Sequence, residues 1–154
     1  MQIALPDLLE GFKQAHQRFR VAKNDDDSRQ MFFTLFESLN WIASIDDRLR
    51  DKNPSWQDQF GKKGQIIRAL RFVRDRVHHQ WADAVYIRPG VSVPVEIPTR
   101  LSDWVWIEAS QLPVPLEEHF RNPHGKKLYQ QLLEDRAVRY SLSEAEAVFE
   151  KVIL

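Results

Sequence analysis

The sequence predicts a mainly α-helical protein, a helical bundle that carries a small two-stranded β-hairpin and C-terminal helices. Apolar residues recur every three or four positions along three long stretches before residue 86, which is the spacing of an amphipathic helix. Six of the eight prolines follow residue 86, so regular helix is interrupted there. Nine Phe, five Trp and a net charge of zero indicate a folded chain rather than a disordered one.

The length of 154 residues predicts a single domain, 1–154. Residues 6–88 would form the bundle, and residues 89–154 would pack the hairpin and the last helices on it. The absence of cysteine excludes disulfides, thiolate zinc sites and cysteine nucleophiles, and it fits a reducing cytoplasm. No apolar run approaches the roughly 18 residues of a membrane span. We therefore expect a cytoplasmic protein without a membrane segment.

Three helices are expected in the first half. The first runs from about Pro6 to Ala22 and ends at the polar stretch 24–28. The second runs from about Ser28 to Arg50, and the Asn-Pro turn that follows it ends near residue 56. The third begins near Gly64 and ends before Arg88, because Pro89 and Gly90 stop a helix.

The second half is expected to contain two strands and two helices. Residues 91–97 alternate apolar side chains with polar residues or proline, which predicts an edge strand. Residues 104–107 are the predicted partner strand, and the last helices are expected near 125–135 and 142–152. Ser141 with Glu144, or Ser143 with Glu146, has the spacing of a capping box.

Three smaller features are open to more than one interpretation. Trp104 and Trp106 can stack bases or pack on the helices, and packing is favoured. The loop Gly61–Gly64 matches the Gly-x-x-Gly loop of KH domains, although its glycines are more simply explained as the start of the third helix. Acidic pairs such as Asp46-Asp47 are interpreted as helix surface.

The third helix concentrates positive charge. Residues 62–76 contain six cations and one acid, Asp75. Such a patch can bind phosphates, or it can pair with acids elsewhere on the surface. The nucleic-acid-binding candidates are Lys62, Lys63, Arg68 and Arg76.

Two histidines at the end of this helix add possible chemistry. With Val77 at the centre of the apolar stripe, Arg71, Arg74 and His78 fall on one flank, at about 60–120°. Asp75 and His79 face outward, at about 160° and 200°. A planar arginine fork binds phosphate, and histidine exchanges protons near neutral pH. Together they suffice for RNA cleavage without a metal ion.

At Arg74-Asp75-Arg76-Val77-His78-His79 the sequence resembles the HEPN superfamily, whose signature is Arg, often Asn or Asp next, and His after four to six intervening residues. His79 fits this spacing from Arg74, and His78 fits it from Arg71. The resemblance covers about residues 6–88. It implies a dimeric bundle of four or five helices, in which two motifs meet and in which many members are metal-independent ribonucleases of defence or toxin–antitoxin systems. It also makes Glu37, on the preceding helix, a possible supporting acid.

The catalytic candidates are accordingly Arg74, His79 and Asp75, with Arg71 and His78 as the alternate register. No cofactor and no metal is expected, and the expected partners are a second copy, RNA or another protein. The rival hypothesis is a non-catalytic interaction module that uses the same helix as an interface. Because one straight helix cannot aim Arg74 and His79 at the same phosphate, the catalytic hypothesis requires a bend or the second copy.

Overall fold

Five α-helices make up most of the part of the chain that is described. The structure is a computed structural model, and it describes residues 3–22, 28–80, 87–89, 104–115 and 121–154, without the side chains of residues 28, 78–80 and 87–89. The helices are α1 (Leu5–Val21), α2 (Ser28–Lys52), α3 (Lys62–Gln80), α4 (Pro123–Leu132) and α5 (Val138–Ile153). The prediction of a mainly α-helical bundle is confirmed.

Helices α1 and α2 pack against each other in opposite directions. Arg18 near the end of α1 contacts Glu37 in the middle of α2, and the carbonyl of Ile3 accepts a hydrogen bond from Arg48 near the other end of α2. The apolar stripe of α1 is buried where the helix packs on α2 and α5, and it consists of Leu8, Leu9, Phe12, Ala15 and Phe19. Burying one such aromatic side chain stabilises the fold by roughly 2–3 kcal/mol, so the amphipathic stripe fixes which face of α1 points inward.

A short 3-10 helix, Trp56–Phe60, connects α2 to α3. Gly61 ends it with a positive φ of 51°, a conformation that L-residues with a side chain rarely adopt. Gly64 lies in the first turn of α3, and a Cβ atom there would stand 2.0 Å from the carbonyl oxygen of Gln57. The two glycines therefore have structural reasons for their positions, one in the turn and one in the close approach of α3.

The strand predicted at 104–107 is present, and its partner among the described residues is the segment 87–89. Strand β2 (Trp104–Trp106) pairs antiparallel with β1 (Ile87–Pro89), and Ile87 lies opposite Trp106. Ile87 was expected in the third helix, whose described part ends at Gln80. Pro89 disfavours helical backbone at Arg88, which explains the extended conformation. The strand predicted at 91–97 lies outside the described residues.

The turn between α4 and α5 docks on β2. The backbone N–H of Trp106 donates to the Arg136 carbonyl, and the N–H of Asp135 donates to the Trp106 carbonyl, both at 3.0 Å. The indole of Trp106 is completely buried and donates to the Ser141 hydroxyl at 3.0 Å. Packing, rather than base stacking, is thus the role of Trp106.

The predicted capping box is wrong. Helix α5 begins at Val138, its N-cap is Ala137, and no side-chain cap bond is formed. Ser141 lies one turn inside the helix, where its buried hydroxyl donates to the Val138 carbonyl. Helix α5 therefore begins at Val138, about one turn before the start that the serines predicted.

One hydrophobic core joins the two halves of the chain. Helix α5 packs antiparallel on α1, with Lys13 beside Glu150 and His16 beside Glu146. Phe149 of α5 meets Phe12 edge-on at 6.0 Å. None of the described helices is both long enough and apolar enough to cross a bilayer.

Candidate functional site on the third helix

Arg71 is held by two neighbouring acids of α2. Its Nη1 lies 2.7 Å from Oδ2 of Asp46 and also contacts Oδ1 of Asp47. The Asp46 carboxylate is completely buried, and its Oδ1 accepts hydrogen bonds from Trp56 Nε1 at 2.9 Å and Gln57 Nε2 at 2.6 Å. Burial lowers the pKa of Arg71, but the hydrogen bonds to Asp47 and Asp46 outweigh it, and the net pKa is raised. Arg71 therefore belongs to a structural ion pair.

The interpretation of Asp46 as helix surface was wrong, whereas Asp47 is exposed as expected. Asp46 follows Ile42 by four positions and precedes Leu49 by three, so it lies on the buried stripe of α2. An acid on an apolar stripe needs a buried donor, and that pattern was the signal that sequence reasoning missed.

The side chain of Arg74 extends from α3 towards α2, and its environment differs from that of Arg71. Its side chain is 30% exposed. Its Nε donates to Oδ1 of Asn40 at 3.3 Å, and its Nη1 donates to Oδ1 of Asp75 at 3.1 Å. The guanidinium is oriented by these two groups, but it is neither completely buried nor bound to a buried acid. Asn40 was not among the candidate residues, although it shares a face of α2 with Glu37.

The two histidines are placed only through their backbone. His78 and His79 lie in the last turn of α3, and their side chains are outside the described part of the chain. His78 follows Arg74 by four residues and His79 follows Asp75 by four, so each pair is adjacent along the helix. The roles of both histidines stay predictions.

Three of the four nucleic-acid-binding candidates lie near the start of α3. Lys62 is exposed. Lys63 is 2.9 Å from Glu144 of α5, and this hydrogen bond raises its pKa. Arg68 donates to Gln57 at 2.5 Å and to Asp58 at 2.6 Å. Acids from other elements therefore divide the cationic run into separate pairs.

Arg76 points away from these residues and into the protein. It is only 6% exposed. Its Nη2 donates to the Pro113 carbonyl, and its guanidinium carbon lies 5.8 Å from the centre of the Phe72 ring. Burial lowers the pKa of Arg76. It is thus a buried cation rather than part of a surface patch.

Glu37, the possible supporting acid, is paired with α1. Its carboxylate accepts from Arg18 Nη2 at 2.5 Å and from Trp41 Nε1 at 3.3 Å. The hydrogen bond from Arg18 is the main cause of the lowered pKa of Glu37. Glu37 precedes Asn40 by one turn of α2, so it lies beside the Arg74 cluster on that helix face.

No group of three or more His, Asp or Glu residues suited to a metal ion occurs in the described ranges. No family model matches the chain, and neither a curated protein nor a solved structure matches it. The site must therefore be interpreted from its own geometry.

Proposed function

We propose that this chain is a HEPN-like helical homodimer that binds RNA and cleaves it without a metal ion. The observation that carries the proposal is the setting of Arg74, which Asn40 and Asp75 orient and which is still partly open to solvent. A guanidinium held in this way can bind a phosphate through its planar fork. The histidines of the same helix follow within one or two turns.

The proposed reaction is an internal transfer at phosphorus. The 2′-oxygen forms a bond to phosphorus while the bond from phosphorus to the 5′-oxygen breaks, which leaves a 2′,3′-cyclic phosphate and a 5′-hydroxyl. One proton leaves the 2′-hydroxyl and one joins the 5′-oxygen, and His79 handles one of these transfers. Arg74 stabilises the negative charge that develops on the phosphate oxygens, and Asp75 orients Arg74.

A second copy of the chain completes this site. Arg74 and His79 are five residues apart, so they differ by about 140° around the axis of α3. One helix cannot direct both side chains at one phosphate, whereas two helices related by a two-fold axis can. The face of α2 with Phe33, Glu37 and Asn40 adjoins Arg74 and is the proposed contact surface.

Cleavage of a single-stranded RNA in the presence of EDTA tests the proposal. We expect the wild type to yield products with 2′,3′-cyclic phosphate ends. Arg74→Ala and His79→Ala should each lower the rate about 100-fold or more, because each removes one catalytic group. Arg50→Ala, an exposed arginine near the end of α2, is the matched control and should keep the wild-type rate.

Two outcomes would contradict the nuclease proposal. Absence of cleavage by the wild type at high protein concentration is the first. The second is equal cleavage by the wild type and both variants, which would assign the activity to a contaminant.

The second candidate is a non-catalytic interaction module, and the phenylalanines of α2 favour it. Phe32 contacts both Phe33 and Phe36, and Phe33 is 59% exposed. A large exposed aromatic in such a cluster is typical of an interface. If Phe33→Ser turns a dimer into a monomer by light scattering, and the wild type does not cleave RNA, this candidate is the better one.

A further inference from the structure

Two arginines on successive turns of α3 reach α2, and α2 gives them different partners. Arg71 contacts the carboxylates of Asp46 and Asp47. Arg74 instead donates from its Nε to the amide oxygen of Asn40 at 3.3 Å. Residues 40 and 47 are seven positions apart, so they lie on the same face of α2. This face therefore offers carboxylates to one arginine and a neutral acceptor to the next.

The neutral acceptor leaves the positive charge of Arg74 in place on the side that faces α2. An amide oxygen accepts a hydrogen bond but carries no net charge, whereas a buried carboxylate such as Asp46 forms a charge-assisted ion pair. Asp75, the other acceptor of Arg74, has a side chain that is 45% exposed, and water screens a pair of this kind. Arg74 is therefore held in place with much less neutralisation than Arg71.

The hydrogen bond to Asn40 also determines which edge of the guanidinium can bind a ligand. An arginine side chain carries five N–H donors in a planar fork. Arg74 uses its Nε–H for Asn40 and one N–H of Nη1 for Asp75, and no other acceptor contacts it among the described residues. The remaining donors belong to Nη1 and Nη2, at the end of the fork. Two such donors can bind two oxygens of one phosphate.

We propose that Asn40 is a positioning residue, which presents this edge of Arg74 to an RNA phosphate without neutralising the guanidinium. The proposal rests on the proposed function, because Arg74 is the phosphate-binding group of that site. Asn40 acts through Arg74 rather than on the reacting atoms. The substitution Asn40→Asp keeps the shape and the acceptor atom, but it should turn Arg74 into an ion pair of the kind that Arg71 forms.

Hydrogen exchange at the Nε–H of Arg74 tests the positioning without any RNA. Heteronuclear NMR of the full chain detects this group, and Arg74→Lys identifies its resonance by removing it. In the wild type the proton should exchange slowly with water, because it is hydrogen-bonded and partly buried. Asn40→Ala should speed the exchange about tenfold, whereas Asn40→Asp retains the acceptor and should not.

Binding of a single-stranded 2′-O-methyl RNA, which cannot be cleaved through its 2′-oxygen, tests the role of the neutral amide. Asn40→Asp should weaken binding at least about tenfold. It should also lower the slope of log Kd against log salt concentration by about 0.7, the contribution of one phosphate contact on a single strand. Arg74→Ala should lower the slope equally. Gln130→Glu, which adds the same charge at an exposed position of α4, should retain the wild-type slope.

Two further measurements separate positioning from a damaged fold or a general repulsion of RNA. Asn40→Asp should unfold at or above the wild-type temperature, because it adds an ion pair with Arg74. In the Arg74→Ala background, Asn40→Asp should weaken RNA binding much less than it does in the wild type, because the group through which it acts is gone.

The proposal is overturned if Asn40→Ala leaves the exchange of the Arg74 Nε–H unchanged, or if Asn40→Asp binds the RNA as tightly as Gln130→Glu does. An equal effect of Asn40→Asp with and without Arg74 would also overturn it. A wild type that binds RNA without cleaving it, and whose Asn40 variants behave as expected, would remove the nuclease proposal and support the role of Asn40. A wild type that binds no RNA would overturn both.

Discussion

Asp46 is the residue at which α2, the 3-10 helix and α3 meet. One fully buried carboxylate accepts from Trp56, Gln57 and Arg71. Asp47 contacts the same Nη1 of Arg71 from an exposed position. The two carboxylates therefore bind the same guanidinium group, Asp46 from a buried position and Asp47 from an exposed one.

At this scale we expect a large difference between two alanine substitutions. Asp46→Ala should lower the free energy of unfolding by about 3–5 kcal/mol, because it leaves the buried donors of Trp56 and Gln57 without an acceptor and leaves Arg71 with Asp47 alone. Asp47→Ala should cost less than about 1 kcal/mol, since its pair with Arg71 is solvent-exposed. Urea unfolding followed by circular dichroism measures both. Equal losses would show that burial of Asp46 is not what makes its contacts strong.

At the scale of elements, the start of α3 is set by its approach to the 3-10 helix. Gly64 lets the helix backbone reach the Gln57 carbonyl, and Gly61 allows the turn that precedes it. A side chain at either position would destabilise the protein, but for different reasons. At Gly64 there is no space for a Cβ atom, and at Gly61 the backbone conformation is one that residues with a Cβ atom rarely adopt.

Substituting each glycine by alanine should separate the two causes. Gly64→Ala should cost about 3 kcal/mol or more, because its Cβ would meet a backbone carbonyl that must move together with the 3-10 helix. Gly61→Ala should cost about 1–3 kcal/mol, the strain of a backbone conformation that residues with a side chain rarely adopt, since nothing lies within 4 Å of its Cβ. Denaturant midpoints measured on both variants check the order, and a larger cost at Gly61 would contradict it.

The sequence allowed the helices to be predicted, but not the contacts that cross between them. Helices α1 and α2 agree with their predicted bounds within about two residues, because an apolar stripe is visible in the letters. The site was only partly predictable. Arg74 was found through its motif, while its partner Asn40, 34 residues away, depends on how α2 and α3 align. The buried state of Arg76 depends on Pro113, which is 37 residues away.

At the scale of the whole molecule, Tyr129 joins the first half of the chain to the second. Its ring contacts Phe72 of α3 and Trp106 of β2, and its hydroxyl donates to the Ile107 carbonyl at 2.6 Å. Burial is the main cause of its raised pKa, and the charge of Glu134 adds to it. Ionising this one phenol would disturb contacts on both sides of the core.

We expect ionisation of Tyr129 to contribute to the decrease in the free energy of unfolding at high pH. Because its pKa is higher in the folded state, its contribution is complete below the ordinary tyrosine pKa near 10 and is lost as pH rises from there towards the folded-state value. The loss is about 1.4 kcal/mol for each pH unit. Urea unfolding between pH 8 and pH 11, followed by both circular dichroism and tryptophan fluorescence, measures it.

Tyr129→Phe should cost about 1 kcal/mol at pH 8 through its lost hydrogen bond, and it should flatten the decline above pH 10. Tyr140→Phe, at a side chain that is 48% exposed, should retain the wild-type pH dependence. A parallel decline in all three proteins would rule out Tyr129 as the cause.

The antiparallel packing of α1 on α5 also has a consequence for synthesis. Phe12 of the first helix completes its contacts only with Phe149, which the ribosome adds more than a hundred residues later. Contacts between such distant segments slow folding, because a long loop must close before they form. The part of the inner face of α1 that packs on α5 therefore stays uncovered during most of translation, and chaperones that bind apolar segments have their longest opportunity there.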